Sequence, residues 1–99
     1  MDLCKNDLVI TDVVIPTAGK ETGKRYYVVG VDGDYVLLAN GKDRSLEKPK
    51  RKKRKHAEKV LRSETRVAQK LLSGDKVLNS ELRKDLAQLS QDGIQPIGG

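Results

Sequence analysis

No tryptophan or phenylalanine occurs in the 99 residues, and the only aromatic side chains are Tyr26, Tyr27 and Tyr35. A core must therefore be assembled from Val, Leu, Ile and Tyr, and an aromatic platform for stacking single-stranded bases is poorly supplied. With one cysteine, Cys4, an internal disulfide is excluded; with one histidine, His56, so is a zinc site. No metal and no cofactor are expected. No apolar run approaches the roughly 20 residues that span a bilayer, and the start Met1-Asp2-Leu3 lacks the positive charge of a secretory leader. A soluble, cytoplasmic chain without a membrane partner is expected. No nucleophile–base pair or paired-carboxylate spacing stands out, so neither enzyme activity nor a small-molecule substrate is expected. No internal repeat is evident.

What the chain has in excess is positive charge, and it is confined. The net charge is +6. Residues 1–47 hold six Lys/Arg against eight Asp/Glu, and residues 56–99 hold seven against six. Residues 48–55, Lys48-Pro49-Lys50-Arg51-Lys52-Lys53-Arg54-Lys55, hold seven cations and no acid. Such a density repels itself unless counter-charge is supplied, and a phosphate backbone supplies it with release of condensed counterions. A solvated charge run and an import signal are the plainer readings. Anionic lipid is disfavoured, because no lipidation motif or amphipathic apolar face accompanies the run.

The first half reads as strands. Leu8-Val9-Ile10 and Asp12-Val13-Val14-Ile15 are rich in β-branched residues, and Pro16 blocks further ladder pairing. Residues 17–25 form a loop with two glycines; residues 26–31 are a second strand, and Asp32-Gly33 signals a tight hairpin into Tyr35-Val36-Leu37-Leu38-Ala39. Asn40-Gly41 repeats the signal, with residues 42–46 as a short third member of a meander. Of Tyr26 and Tyr27, adjacent on a strand, one is expected in the core and the other exposed or semi-exposed. Short strands with glycine corners suit a small barrel. Residues 56–61 fit a last strand or the start of a helix.

The second half reads as helical. Ser63 is a plausible N-cap for a helix through Leu72 with Val67, Ala68, Leu71 and Leu72 on one face, and Gly74 stops it. Asn79 or Ser80 caps a second helix, where Leu82, Leu86 and Leu89 recur at helical spacing. These helices are expected to clamp onto the barrel, contact RNA or engage a neighbouring protein. The fold class is thus mainly β with C-terminal α: a barrel over 1–62 that includes the basic segment 48–56, two short helices over 63–90, and a flexible tail over 91–99.

Gly19-Lys20-Glu21-Thr22-Gly23-Lys24-Arg25 has three residues between its glycines and Arg after Lys24. A P-loop needs four and a Ser or Thr there, so nucleotide hydrolysis is rejected. Either the segment is a plain glycine turn, or its glycines let the backbone approach a phosphate that Lys20, Lys24 and Arg25 neutralise.

The stretch from Asp12-Val13-Val14-Ile15-Pro16-Thr17-Ala18 through this loop to Tyr26-Tyr27-Val28-Val29 resembles a KOW motif, the strand–loop–strand unit of several ribosomal and transcription-elongation proteins. The likeness continues through Gly33-Asp34-Tyr35-Val36-Leu37-Leu38-Ala39-Asn40-Gly41-Lys42 and through Leu46-Glu47-Lys48-Pro49-Lys50-Arg51-Lys52 to Lys55-His56. This combination is similar to the KOW-type family of large-subunit ribosomal protein number fourteen from archaea and eukaryotes, and to short bacterial KOW-domain RNA-binding proteins. It covers residues 8–60, about half the chain. Tyr26-Tyr27 stand where many KOW motifs have a further glycine.

The resemblance implies an SH3-like barrel whose loops and basic segment contact ribosomal RNA of the large subunit. The RNA-binding residues it and the charge pattern point to are Gly19, Lys20, Gly23, Lys24, Arg25, Lys42, Arg44, Lys48, Lys50, Arg51, Lys52, Lys53, Arg54, Lys55 and His56. A ribosome-associated RNA-binding protein is the leading expectation. An adaptor that uses the barrel to bind a transcription or translation protein is the alternative, because fold alone does not choose; non-specific DNA binding ranks third.

Overall fold

A computed structural model describes residues 8–19 and 22–94. Among these described residues five strands form one antiparallel sheet: β1 Asp12–Pro16, β2 Tyr26–Asp32, β3 Tyr35–Ala39, β4 Lys50–Lys53 and β5 Ala57–Arg62, in the order β4-β3-β2-β1-β5. Two helices follow, α1 Arg66–Ser73 and α2 Asn79–Ile94. Among the described residues no helix is long and apolar enough to cross a membrane.

The sheet is strongly curled, and chain geometry requires it. β4 and β5 lie at opposite ends of the sheet order, yet only the 3₁₀ turn Arg54–His56 separates them in sequence. Four extended chain steps reach at most about 14 Å, whereas the edges of a flat five-stranded sheet lie about 19 Å apart. Two register irregularities contribute the bend. One falls between Val13 and Val14 where β1 meets β5, the other between Val28 and Gly30 where β2 meets β3. An extra residue on one strand bends it and increases its twist.

At β2 the sheet is buried on both faces, which explains the two tyrosines. Tyr26 packs in one core with Leu8, Val14, Val28, Val36, Leu38 and Ala57. Tyr27, on the opposite face, packs with Val13, Ala39, Leu82 and Leu86. The expectation that one of the pair is exposed is therefore corrected: both are buried, because α2 covers the second face. Of the three roles anticipated for the helices, clamping onto the sheet is the one Leu82 and Leu86 fill.

Several boundaries differ from those the sequence suggests. The third meander strand is β4 at 50–53, not residues 42–46. Asn40 Oδ1 accepts the backbone N–H groups of Lys42 (2.9 Å) and Arg44 (3.0 Å), which turns Asn40-Gly41 into the start of a wide loop. The hairpin at Asp32-Gly33 is present, with Gly33 and Asp34 as its central residues since Asp32 pairs with Tyr35. Gly33, at φ +61°, takes the positive-φ place such a turn reserves for glycine. Residues 8–10 precede β1 without joining it, and residues 57–62 resolve as a strand. Thr65, not Ser63, caps α1, its Oγ1 accepting from the Ala68 N–H at 3.2 Å. Gly74 ends α1 in the left-handed conformation, as expected, but Leu72 is 65 % exposed and leaves the apolar face. At the start of α2 the Glu81 carboxylate accepts the Leu78 N–H (3.0 Å), a capping role that frees the Asn79 side chain for other partners. α2 continues to Ile94, so residues 91–94 are helical rather than tail; residues 95–99 lie outside the described residues.

Ser63 is instead part of a polar network that pins the helices to the sheet. The Tyr27 hydroxyl donates to the Asp85 carboxylate and hydrogen-bonds with Ser63 Oγ (2.6 Å) and Thr65 Oγ1 (3.4 Å). Thr65 Oγ1 also donates to Asp85 at 2.8 Å. Burial, and next the Asp85 carboxylate, push the Tyr27 phenol from its ordinary 10.0 up to about 12. The folded state thus favours the neutral phenol, a contribution present below about pH 10 and lost as pH rises toward 12. We expect the wild type to lose about 2–3 kcal/mol more stability than Tyr27→Phe between about pH 9 and pH 12. Urea titrations of both proteins measure this; equal losses would contradict the assignment.

Candidate nucleic-acid interface

The basic run is ordered on the sheet. Residues 50–53 have little intrinsic strand preference, yet they pair with β3 in the register Leu38↔Lys50, Leu37↔Arg51, Val36↔Lys52 and Tyr35↔Lys53. Val36 and Leu38 are buried, so Lys50 and Lys52 share the first core's face and are half-buried, while Arg51 and Lys53 stand exposed on the other.

The seven cations therefore do different jobs. Lys52 Nζ donates to the Ala18 carbonyl (3.0 Å) and anchors the β1–β2 loop to β4. Arg54 Nε donates to the Gly33 carbonyl (2.7 Å) and Nη1 to the Leu8 carbonyl (3.0 Å), which ties the 3₁₀ turn to the β2–β3 turn and to the chain ahead of β1. Arg51 lies 4.1 Å from the Tyr35 ring centroid and 3.4 Å from the Asp32 carboxylate. Lys48, Lys53 and Lys55 project into solvent. Asp34, Tyr35, Lys53, Arg54 and Lys55 line a hollow of about 370 Å³. His56 is half-buried, and its carbonyl accepts the Thr17 N–H at 2.9 Å, a backbone role that joins the turn to the β1–β2 loop.

The glycine loop forms a second cluster. Gly19 and Gly23 both have φ near +90°, and Thr22 Oγ1 donates to the Gly19 carbonyl at 2.8 Å. Lys20 lies outside the described residues. Lys24 Nζ pairs with Asp43 at 2.9 Å across to the β3–β4 loop. Lys24, and next Asn40, hold the Asp43 carboxyl below its ordinary range. Gly23, Lys24, Arg25 and Lys42 line a second hollow, of about 400 Å³, together with Asn40, Asp43, Arg83, Leu86 and Ala87. Arg44 contributes backbone: its carbonyl accepts the N–H groups of Asn40 (2.9 Å) and Gly41 (3.0 Å), closing the turn that carries Lys42.

The residues expected to bind RNA thus fall into two clusters joined by the β1–β2 loop, whose Ala18 meets β4 and whose Lys24 meets the β3–β4 loop. Sequence reasoning missed Arg83. The signal was available, since Arg83 and Ala87 each follow a buried leucine, Leu82 and Leu86, and so flank the buried stripe of α2. Among the described residues no group of three or more His, Cys, Asp or Glu could hold a metal. Neither protein-family models nor curated proteins give a match to this chain.

Proposed function

We propose that the protein binds structured RNA, that its curled sheet is an SH3-like KOW barrel, and that its target is ribosomal RNA of the large subunit. The observation that carries this reading is the placement of the polybasic run. Six cations without an acid lie on an edge strand and the 3₁₀ turn after it, with Lys48 just ahead, and Lys52 and Arg54 are braced by the Ala18, Gly33 and Leu8 carbonyls, so the charge is presented at fixed spacing. Lysines on an edge strand also discourage strand addition by another chain. That purpose does not account for Lys48 and Lys55, which lie outside β4, or for the second cationic hollow.

Binding of this kind reads the backbone and shape of folded RNA, because phosphate contacts position a protein without specifying sequence. The KOW resemblance over residues 8–60 supplies the ribosomal target. Titration of the full chain with a labelled large-subunit rRNA fragment over a range of salt tests the proposal. The logarithm of affinity should fall linearly with the logarithm of salt concentration, with a slope of about −0.7 to −0.9 per phosphate contacted. A flat dependence would overturn the electrostatic basis.

A further inference from the structure

Helix α2 is more than a cover for the sheet. Its first turn is held against the β3–β4 loop at Gly41, where an added Cβ would lie 2.1 Å from the Asn79 carbonyl and 3.0 Å from the Arg83 backbone nitrogen. Asn79 secures the same contact from the helix side. Its Oδ1 accepts the Leu46 N–H (2.8 Å), and its Nδ2 donates to Glu47 (2.9 Å). These contacts fix the backbone of Arg83 beside the turn that carries Lys42. The hollow they border has a cationic rim drawn from three separate elements: Lys24 and Arg25 from the β1–β2 loop, Lys42 from the β3–β4 loop, and Arg83 from α2. Leu86 and Ala87 of α2 add apolar lining, and the volume is about 400 Å³. One carboxylate, Asp43, sits among these cations, 2.9 Å from Lys24 Nζ and 3.4 Å from Asn40 Nδ2.

We propose that this hollow seats one ribose-phosphate unit of the bound RNA, with Arg83 as a phosphate ligand supplied by α2 and Asp43 as the counter-ion that the phosphate displaces. The proposal rests on the RNA-binding reading and adds a defined site to it. A phosphate oxygen and a carboxylate oxygen accept the same N–H donors, so the place Asp43 occupies beside Lys24 is one a phosphate can take. The carbon face of the ribose can lie against Leu86 and Ala87, which leaves its 2′-hydroxyl to the polar lining. Because the rim is drawn from both loops and α2, docking of α2 and RNA binding are coupled.

The test uses the full chain and a labelled large-subunit rRNA fragment, with two charge-matched pairs. Arg83→Gln should weaken binding about fivefold and flatten the salt slope by about one, whereas Lys84→Gln, its exposed neighbour on the same helix, should change affinity far less. Asp43→Asn should tighten binding about threefold and Asp75→Asn, in the linker between the helices, should not. A gain in affinity cannot arise from unfolding, which keeps the second pair informative even if the loop loosens. Equal effects of Arg83→Gln and Lys84→Gln, or of Asp43→Asn and Asp75→Asn, would overturn the seat. If those pairs match while neutralising Lys50, Lys53 and Lys55 still weakens binding, the seat falls and the RNA reading stands. Absence of wild-type binding overturns both.

Discussion

Replacing Lys50, Arg51, Lys53 and Lys55 together by glutamine is expected to weaken RNA binding on the order of a hundredfold and to flatten its salt slope by about 3. The choice of residues follows from the division of labour along β4. Lys52 and Arg54 hold the Ala18, Gly33 and Leu8 carbonyls, so their removal would confuse loss of fold with loss of contact. Lys53 and Lys55 are exposed, and among the described residues Arg51 meets the Tyr35 ring and the exposed Asp32, surface contacts that contribute about 1 kcal/mol or less. The thermal midpoint of the quadruple variant should therefore stay within a few degrees of wild type. Fluorescence anisotropy against salt concentration, with a melting curve beside it, measures both. An unchanged slope in a folded variant would remove β4 from the interface.

The second large effect is structural. Gly41→Ala is expected to destabilise the protein by about 2–4 kcal/mol, since a left-handed residue loses glycine's freedom and its Cβ meets a backbone carbonyl that cannot give without moving α2. For a domain of this size that lowers the melting midpoint on the order of 10–20 °C. Gly74→Ala provides the comparison. Gly74 has a similar φ of +81° but nothing within 4 Å of an added Cβ, so only about 1 kcal/mol is at stake. Similar losses from the two substitutions would mean that α2 is not seated on the β3–β4 loop as described. Because Arg83 hangs from the same contact, Gly41→Ala should also weaken RNA binding beyond what its stability loss explains at temperatures where it stays folded.

Much of the sheet was legible in the sequence because its signals are local. β-branched runs gave β1 and β2, and glycine gave the turn between β2 and β3. The misplaced third strand shows where local reading stops. Asn40-Gly41 looks like a two-residue hairpin, but the Asn40 side chain captures two downstream N–H groups and opens a loop of ten residues, 40–49, before β4 begins. A lysine-rich segment then becomes a strand only because β3 offers it an edge, a tertiary effect no local propensity records. Burial of Tyr27 was hidden for the same reason, as its cover comes from Leu82 and Leu86, more than fifty residues further along. The candidate site was legible as charge and not as geometry. Composition located residues 48–55, but it could not say that Lys52 and Arg54 are anchors, that Arg44 and His56 act through their backbones, or that Arg83 joins the loop cluster.

Crosslinking in cells, followed by sequencing of the RNA attached to the protein, asks directly whether it binds large-subunit ribosomal RNA. Crosslinks are expected to concentrate at one site of large-subunit ribosomal RNA, with the attached peptides coming from residues 48–56 and from the loops around Lys24 and Lys42. Crosslinks scattered over many transcripts, or hardly any above background, would contradict that expectation.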